Sequence, residues 1–183
     1  MRYLRAILSI SAVLMLTVPA AAQVESTPIP ALPKPDFSAM SFLVGTWNCS
    51  TMSSRRSAAF PSTVTTTMSE DGYWMVNTTV TPPVSWAPAK TTTIDKVTYD
   101  PSTSRWVDVA TDDQGGYDLS TSAGWHGNSI VWDDVAYPKT NATATNNPLT
   151  VTKVDDKTTT SMSTFKEPGG RTVTVKTTCK KQG

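Results

Sequence analysis

The sequence predicts an all-β domain, an antiparallel up-and-down β-barrel of about ten strands. Three observations predict it. Threonine is the commonest residue, at roughly thirty positions, and its β-branched side chain suits a half-exposed pleated surface. Segments of strand length recur at short intervals with turn residues between them. The two cysteines, Cys49 and Cys179, fall on the first and last of those segments.

The chain opens with an export signal. Arg2 and Arg5 precede an uncharged apolar run from Ala6 to Val18, which Pro19 ends. Ala20, Ala21 and Ala22 then supply the small residues that signal peptidase requires, so residues 1–22 read as a signal peptide cleaved before Gln23. A membrane anchor would need about 20 apolar residues, and this run is shorter. No cysteine follows the cleavage point to carry a lipid, and no other stretch is apolar enough to span a bilayer. The expected location is periplasmic or extracellular. Residues 23–36 hold Pro28, Pro30, Pro33 and Pro35, the mark of a stiff extended leader, so the folded domain is expected over 37–183.

Helical spacing is absent from this domain apart from one short turn in Ser38 to Val44, which would pack Phe37, Met40 and Phe42 or Leu43. Strands are expected at 43–51, 61–69, 72–81, 90–99, 104–111, 116–122, 125–134, 148–155, 158–166 and 171–179. The segments between them read as turns: Glu70-Asp71-Gly72, Asp100-Pro101-Ser102, Asp112 to Gly116, Asp155-Asp156 and Pro168-Gly169-Gly170.

A meander of this length leaves two sheet edges, and closing into a barrel removes them. On the first strand Leu43, Gly45, Trp47 and Cys49 share one face, and on the last Val173, Val175, Thr177 and Cys179 do. If these strands are neighbours, the cysteines can bond across the seam. In an oxidising compartment two cysteines most simply form one disulfide. A loop of that length would stabilise the fold by roughly 4 kcal/mol in the chain-entropy model. An open two-sheet sandwich is the alternative fold.

Two segments carry a resemblance. Phe42-Leu43-Val44-Gly45-Thr46-Trp47-Asn48-Cys49 resembles the Gly-x-Trp opening strand of lipocalin-like (calycin) barrels, in which the Trp plugs one barrel end. Tyr99 to Trp132 is similar to a pattern in uncharacterised bacterial secreted proteins with a lipocalin-like or nitrobindin-like barrel: a Tyr-Asp-Pro turn, an aromatic strand, a Gly-Gly turn and a Gly-x-x-Gly segment ending in an aromatic. The resemblance implies a lipocalin-like fold, with Trp47 as the plug, and names no activity. Nitrobindin-like members bind haem through a histidine on a late strand. Here the sole histidine, His126, lies mid-chain, so the expectation is no haem and no other cofactor.

Charge and composition narrow the remaining chemistry. Lys+Arg total 16 against 15 acids; without Arg2 and Arg5 the balance is 14 to 15, a net charge of −1. That argues against nucleic acid, which selects a basic stripe, and against strong binding to anionic lipid. One histidine and two distant cysteines cannot close a zinc site. The acidic doublets Asp112-Asp113, Asp133-Asp134 and Asp155-Asp156 lack calcium-loop spacing and read as turns. No Gly-x-Ser-x-Gly elbow accompanies His126, whose alternation partners would be Asn128, Ile130 and Trp132. A hydrolase or isomerase using His126 therefore ranks last, and the chain is expected not to be an enzyme.

Six tryptophans are the more informative feature. They fill a barrel core, and some can also line a pocket for an apolar or aromatic small molecule. Trp106, Ile130 and Trp132 are the candidate ligand-binding residues. Parity along a strand does not by itself say which face is inside. The expected function is an exported, non-enzymatic barrel that binds a small apolar or aromatic ligand. A ligand-free structural or interaction module of the cell envelope is the alternative.

Overall fold

A computed structural model describes residues 31–135, 148–167 and 169–183. The expected signal peptide, and the leader up to Pro30, lie outside the described residues. Pro33–Gly183 forms one unit and carries every element that follows.

The first element is a 3-10 helix at Ser38–Leu43. The strands are β1 (Gly45–Ser53), β2 (Phe60–Met68), β3 (Met75–Thr81), β4 (Thr91–Asp100), β5 (Arg105–Asp112), β6 (Tyr117–Ser122), β7 (Trp125–His126), β8 (Ser129–Asp134), β9 (Leu149–Asp155), β10 (Thr158–Lys166) and β11 (Thr172–Lys181). Among the described residues all eleven belong to one antiparallel sheet. Strands adjacent in sequence pair with one another except β6 and β7; β6 pairs instead with β8, and β1 pairs with β11. The sheet therefore closes as a barrel of ten strands, with the two-residue β7 as the extra one. An open sandwich is ruled out, because closure leaves the meander no free first or last edge.

The sequence explains the closure. Along β1 burial alternates, with Trp47, Cys49, Thr51 and Ser53 buried and Asn48, Ser50 and Met52 exposed. Across the seam Cys49 stands opposite Cys179, and the two are joined by a disulfide spanning 130 residues of sequence. In the same inward row, two positions along, the Thr51 and Thr177 hydroxyls hydrogen-bond at 2.9 Å.

Two features depart from the sequence expectation. Leu43 belongs to the 3-10 helix and not to the first strand. Gly45 makes the transition, with φ +127, and a Cβ there would lie 2.9 Å from Lys181 Cε. Segment 125–134 is not one strand. Gly127-Asn128 forms a two-residue turn that folds it into the β7–β8 hairpin, with Trp125 opposite Ile130 and His126 opposite Ser129. The turn reverses the chain, so His126 does not share a face with Ile130 and Trp132; it is exposed. Gly124 lies between β6 and β7, with φ +103, and packs against the Trp106 indole.

One barrel end is closed by the 3-10 helix. Phe37, Met40, Met75, Val97, Ile130 and Trp132 form the buried cluster there, flanked by Leu43, Trp106, Trp125 and Val151. Trp47 is 2 % exposed, and its indole N–H donates to the Leu43 carbonyl at 2.7 Å, tying the first strand to the helix that caps it.

Candidate binding cavity

Inward-facing side chains leave a cavity of about 260 Å³ in the barrel. Its apolar lining comes from the closed end and the walls beside it: Met40, Leu43, Trp47, Met75, Val97, Trp125, Ile130, Trp132, Leu149 and Val151. Its polar lining comes from β2–β5 and from β10: Thr66, Asn77, Thr79, Asp95, Asp108, Thr159 and Ser161. The period of two puts both kinds of residue inside, because polar side chains occupy inward positions beside apolar ones on the same strands. Asp95 alternates with Val97 on β4, and Asp108 alternates with Trp106 on β5. Register places Val97 opposite Asp108 and Asn77 opposite Asp95.

The two carboxyl groups dominate the electrostatics. Burial pushes the Asp108 carboxyl up to about 7, and the nearby Asp95 and Asp118 carboxylates add to the rise. Burial also pushes Asp95 up to about 6, with Asp118 contributing. Among the described residues no lysine or arginine lines the cavity. Two polar atoms on its lining residues are buried with no hydrogen-bond partner among the described residues: Asp108 Oδ1 and Trp125 Nε1. Since about nine in ten buried polar groups are partnered, one unpaired acceptor and one unpaired donor around one cavity require an explanation. Thr66 donates to Asn77 Oδ1 at 2.8 Å, so that part of the polar wall is satisfied internally.

The residues that the sequence singles out are divided between cavity and plug. Ile130 and Trp132 are buried and line the cavity. Trp106 does not line it. Its ring packs on Phe37 at 5.2 Å and Tyr99 at 5.4 Å, so it helps to close the barrel end. Trp47 lines the cavity and is tied by its indole N–H to the capping helix, and Cys179 of the disulfide also reaches the cavity wall. Trp86 stands apart against Phe60 and Arg56. Sequence reasoning does not find Asp95, Asp108 or Trp125. For the aspartates a signal exists: each stands two residues from a large apolar side chain, Val97 or Trp106, and so shares its face.

Among the described residues no three His, Cys, Asp or Glu side chains come together as metal ligands. No helix among them is long and apolar enough to cross a membrane. No family model matches the chain, and no curated protein matches it.

Proposed function

We propose that this chain is an exported, non-enzymatic barrel protein that holds one small apolar or aromatic molecule in its lumen. The observation that carries the reading is the cavity of about 260 Å³ between the Trp47 plug and the hydroxyl-lined wall of β2, β3 and β10. It lies just below the roughly 300–1,000 Å³ usual for small-molecule sites, so the guest is small, such as a one-ring aromatic. Barrels of this strand number have room for more than side-chain packing. Ile130 and Trp132 supply the apolar contact. Export is supported by the signal-like residues 1–22 and by the Cys49–Cys179 disulfide, which persists in an oxidising compartment. The lipocalin-like resemblance of Gly45-Thr46-Trp47 is in keeping with a cargo-binding barrel.

Native mass spectrometry of the protein purified from its own host tests this directly. A retained small molecule of stoichiometric occupancy is expected. Protein that carries none, and whose tryptophan fluorescence fails to respond to small aromatic compounds, would favour the structural-module reading instead.

A further inference from the structure

The polar half of the cavity says which guest it takes. We infer that the lumen binds a small organic amine, its ammonium group against the carboxylate of Asp108 and its apolar body against Ile130, Trp132 and the Trp47 plug. This inference rests on the cargo-binding reading and adds the chemical class of the cargo.

Three observations carry it. Asp108 and Asp95 stand on adjacent strands and both line the one cavity. Asp108 Oδ1 is buried without a partner among the described residues, and an acceptor left in that state loses its hydration with nothing in return. The cavity that this oxygen borders has no lysine or arginine in its lining among the described residues. The charged groups around it add to the imbalance. From β4 it meets Asp95 and from β6 Asp118. From β3, β10 and β11 the cavity receives Asn77, Thr79, Thr159, Ser161 and Cys179, none of which can be a cation. Lys153 pairs with Asp156, Lys181 donates to the Phe42 carbonyl and Arg105 pairs with Asp133, while Lys96 on β4 is exposed, with parity opposite to Asp95 and Val97.

A neutral apolar guest would bury these acids further and leave Asp108 Oδ1 unpaired. An ammonium group donates to it and offsets the desolvation with a charge-assisted hydrogen bond. The unpartnered Trp125 indole N–H is available to an acceptor on the same guest. A metal ion is a poorer match, because no three ligating side chains converge among the described residues. Binding is coupled to the proton on Asp108. Well below its value of about 7 the carboxyl is protonated and the ammonium gains little. As pH rises through that value the carboxylate forms, and affinity climbs until the amine itself loses its proton.

Phenethylamine and phenethyl alcohol, which share an aromatic body and differ in the charged head, are the probes. Titration of the full mature protein by calorimetry or tryptophan fluorescence at about pH 8 should show the amine binding at least about tenfold more tightly than the alcohol. At about pH 5 that advantage should shrink to near unity. In Asp108→Asn the advantage at the higher pH should also vanish, and the ratio of the two affinities should no longer change with pH. Equal binding of the two probes at the higher pH would overturn the amine assignment and leave the cargo-binding reading standing. Failure of both probes would overturn both. If Asp108→Asn does not fold, the pH profile of the unmutated protein decides alone: a flat ratio across that pH range refutes the inference.

Discussion

At the scale of single residues, the lumen sets two kinds of side chain against each other. Trp47 is a mechanical part: it is almost fully buried and tied by its N–H to the capping helix. Replacing it with alanine should cost roughly 3–5 kcal/mol, read as a lowered denaturant midpoint with an unchanged slope. Asp108 acts in the opposite sense. Its carboxyl titrates at about 7 in the folded chain and near 4 when unfolded, so the folded state holds its proton more tightly. Stability from this group is fully present below about pH 4 and is lost as pH rises through about 7. Asp95 acts the same way over a window ending at about 6. The expected result is that Asp108→Asn matches the unmutated protein at about pH 4 and exceeds it at about pH 8 in urea unfolding. A variant less stable than its parent at the higher pH would show that the Asp108 carboxylate is satisfied in the free protein. The acid costs the empty barrel stability, a cost that the proposed amine guest would offset.

At the scale of elements, the strands are legible in the sequence because their ends are written in turn residues. Asp100-Pro101-Ser102 closes β4: the Asp100 carboxylate accepts from the Ser102 N–H and from the Ser102 and Thr103 hydroxyls. Asp112 does the same for the Gln114 and Gly116 N–H groups after β5. Asp155 accepts from the Lys157 N–H between β9 and β10. Each is an acidic side chain satisfying turn N–H groups, which is local chemistry and therefore readable. The β7–β8 hairpin escapes such a reading because β7 is only two residues long, although Gly127-Asn128 is itself a hairpin dipeptide and the opposite parity of Trp125 and Ile130 argues against one continuous strand. Missing that turn misplaces His126. The inside of the barrel is less legible still, since parity gives two faces and closure alone decides which is inner. Parity is also silent on depth along the barrel: Trp106 and Asp108 share the inner face, yet Trp106 packs in the plug while Asp108, two residues on, lines the cavity. Gly124 offers a test at this scale. Its φ is +103, and a Cβ there would stand 3.3 Å from the Trp106 indole nitrogen, so a side chain is both strained and crowded. Gly124→Ala should destabilise by more than roughly 1 kcal/mol, measured by thermal or urea unfolding.

At the scale of the whole molecule, the disulfide and the plug fix the barrel wall at its seam and at one end. The seam between β1 and β11 joins the first and last strands, the longest sequence separation the meander must close. Reducing Cys49–Cys179 should lower stability by roughly 2–5 kcal/mol, as loss of a native bridge in an exported domain does. Peptide mapping without reductant should find the two residues linked in protein recovered from its host. With the walls fixed, the lumen can carry an unpaired carboxylate oxygen and an unpaired indole N–H that a freely collapsing core would bury against partners. The central claim is that this space is a binding site. Titrating the purified mature protein with phenethylamine at about pH 8, while following tryptophan fluorescence, tests it most directly. A saturable change at micromolar concentration, about −8 kcal/mol, weakened far more by Trp132→Ala than by Trp86→Ala, is expected; a linear, unsaturable response equal in both variants would show that the lumen holds no such guest.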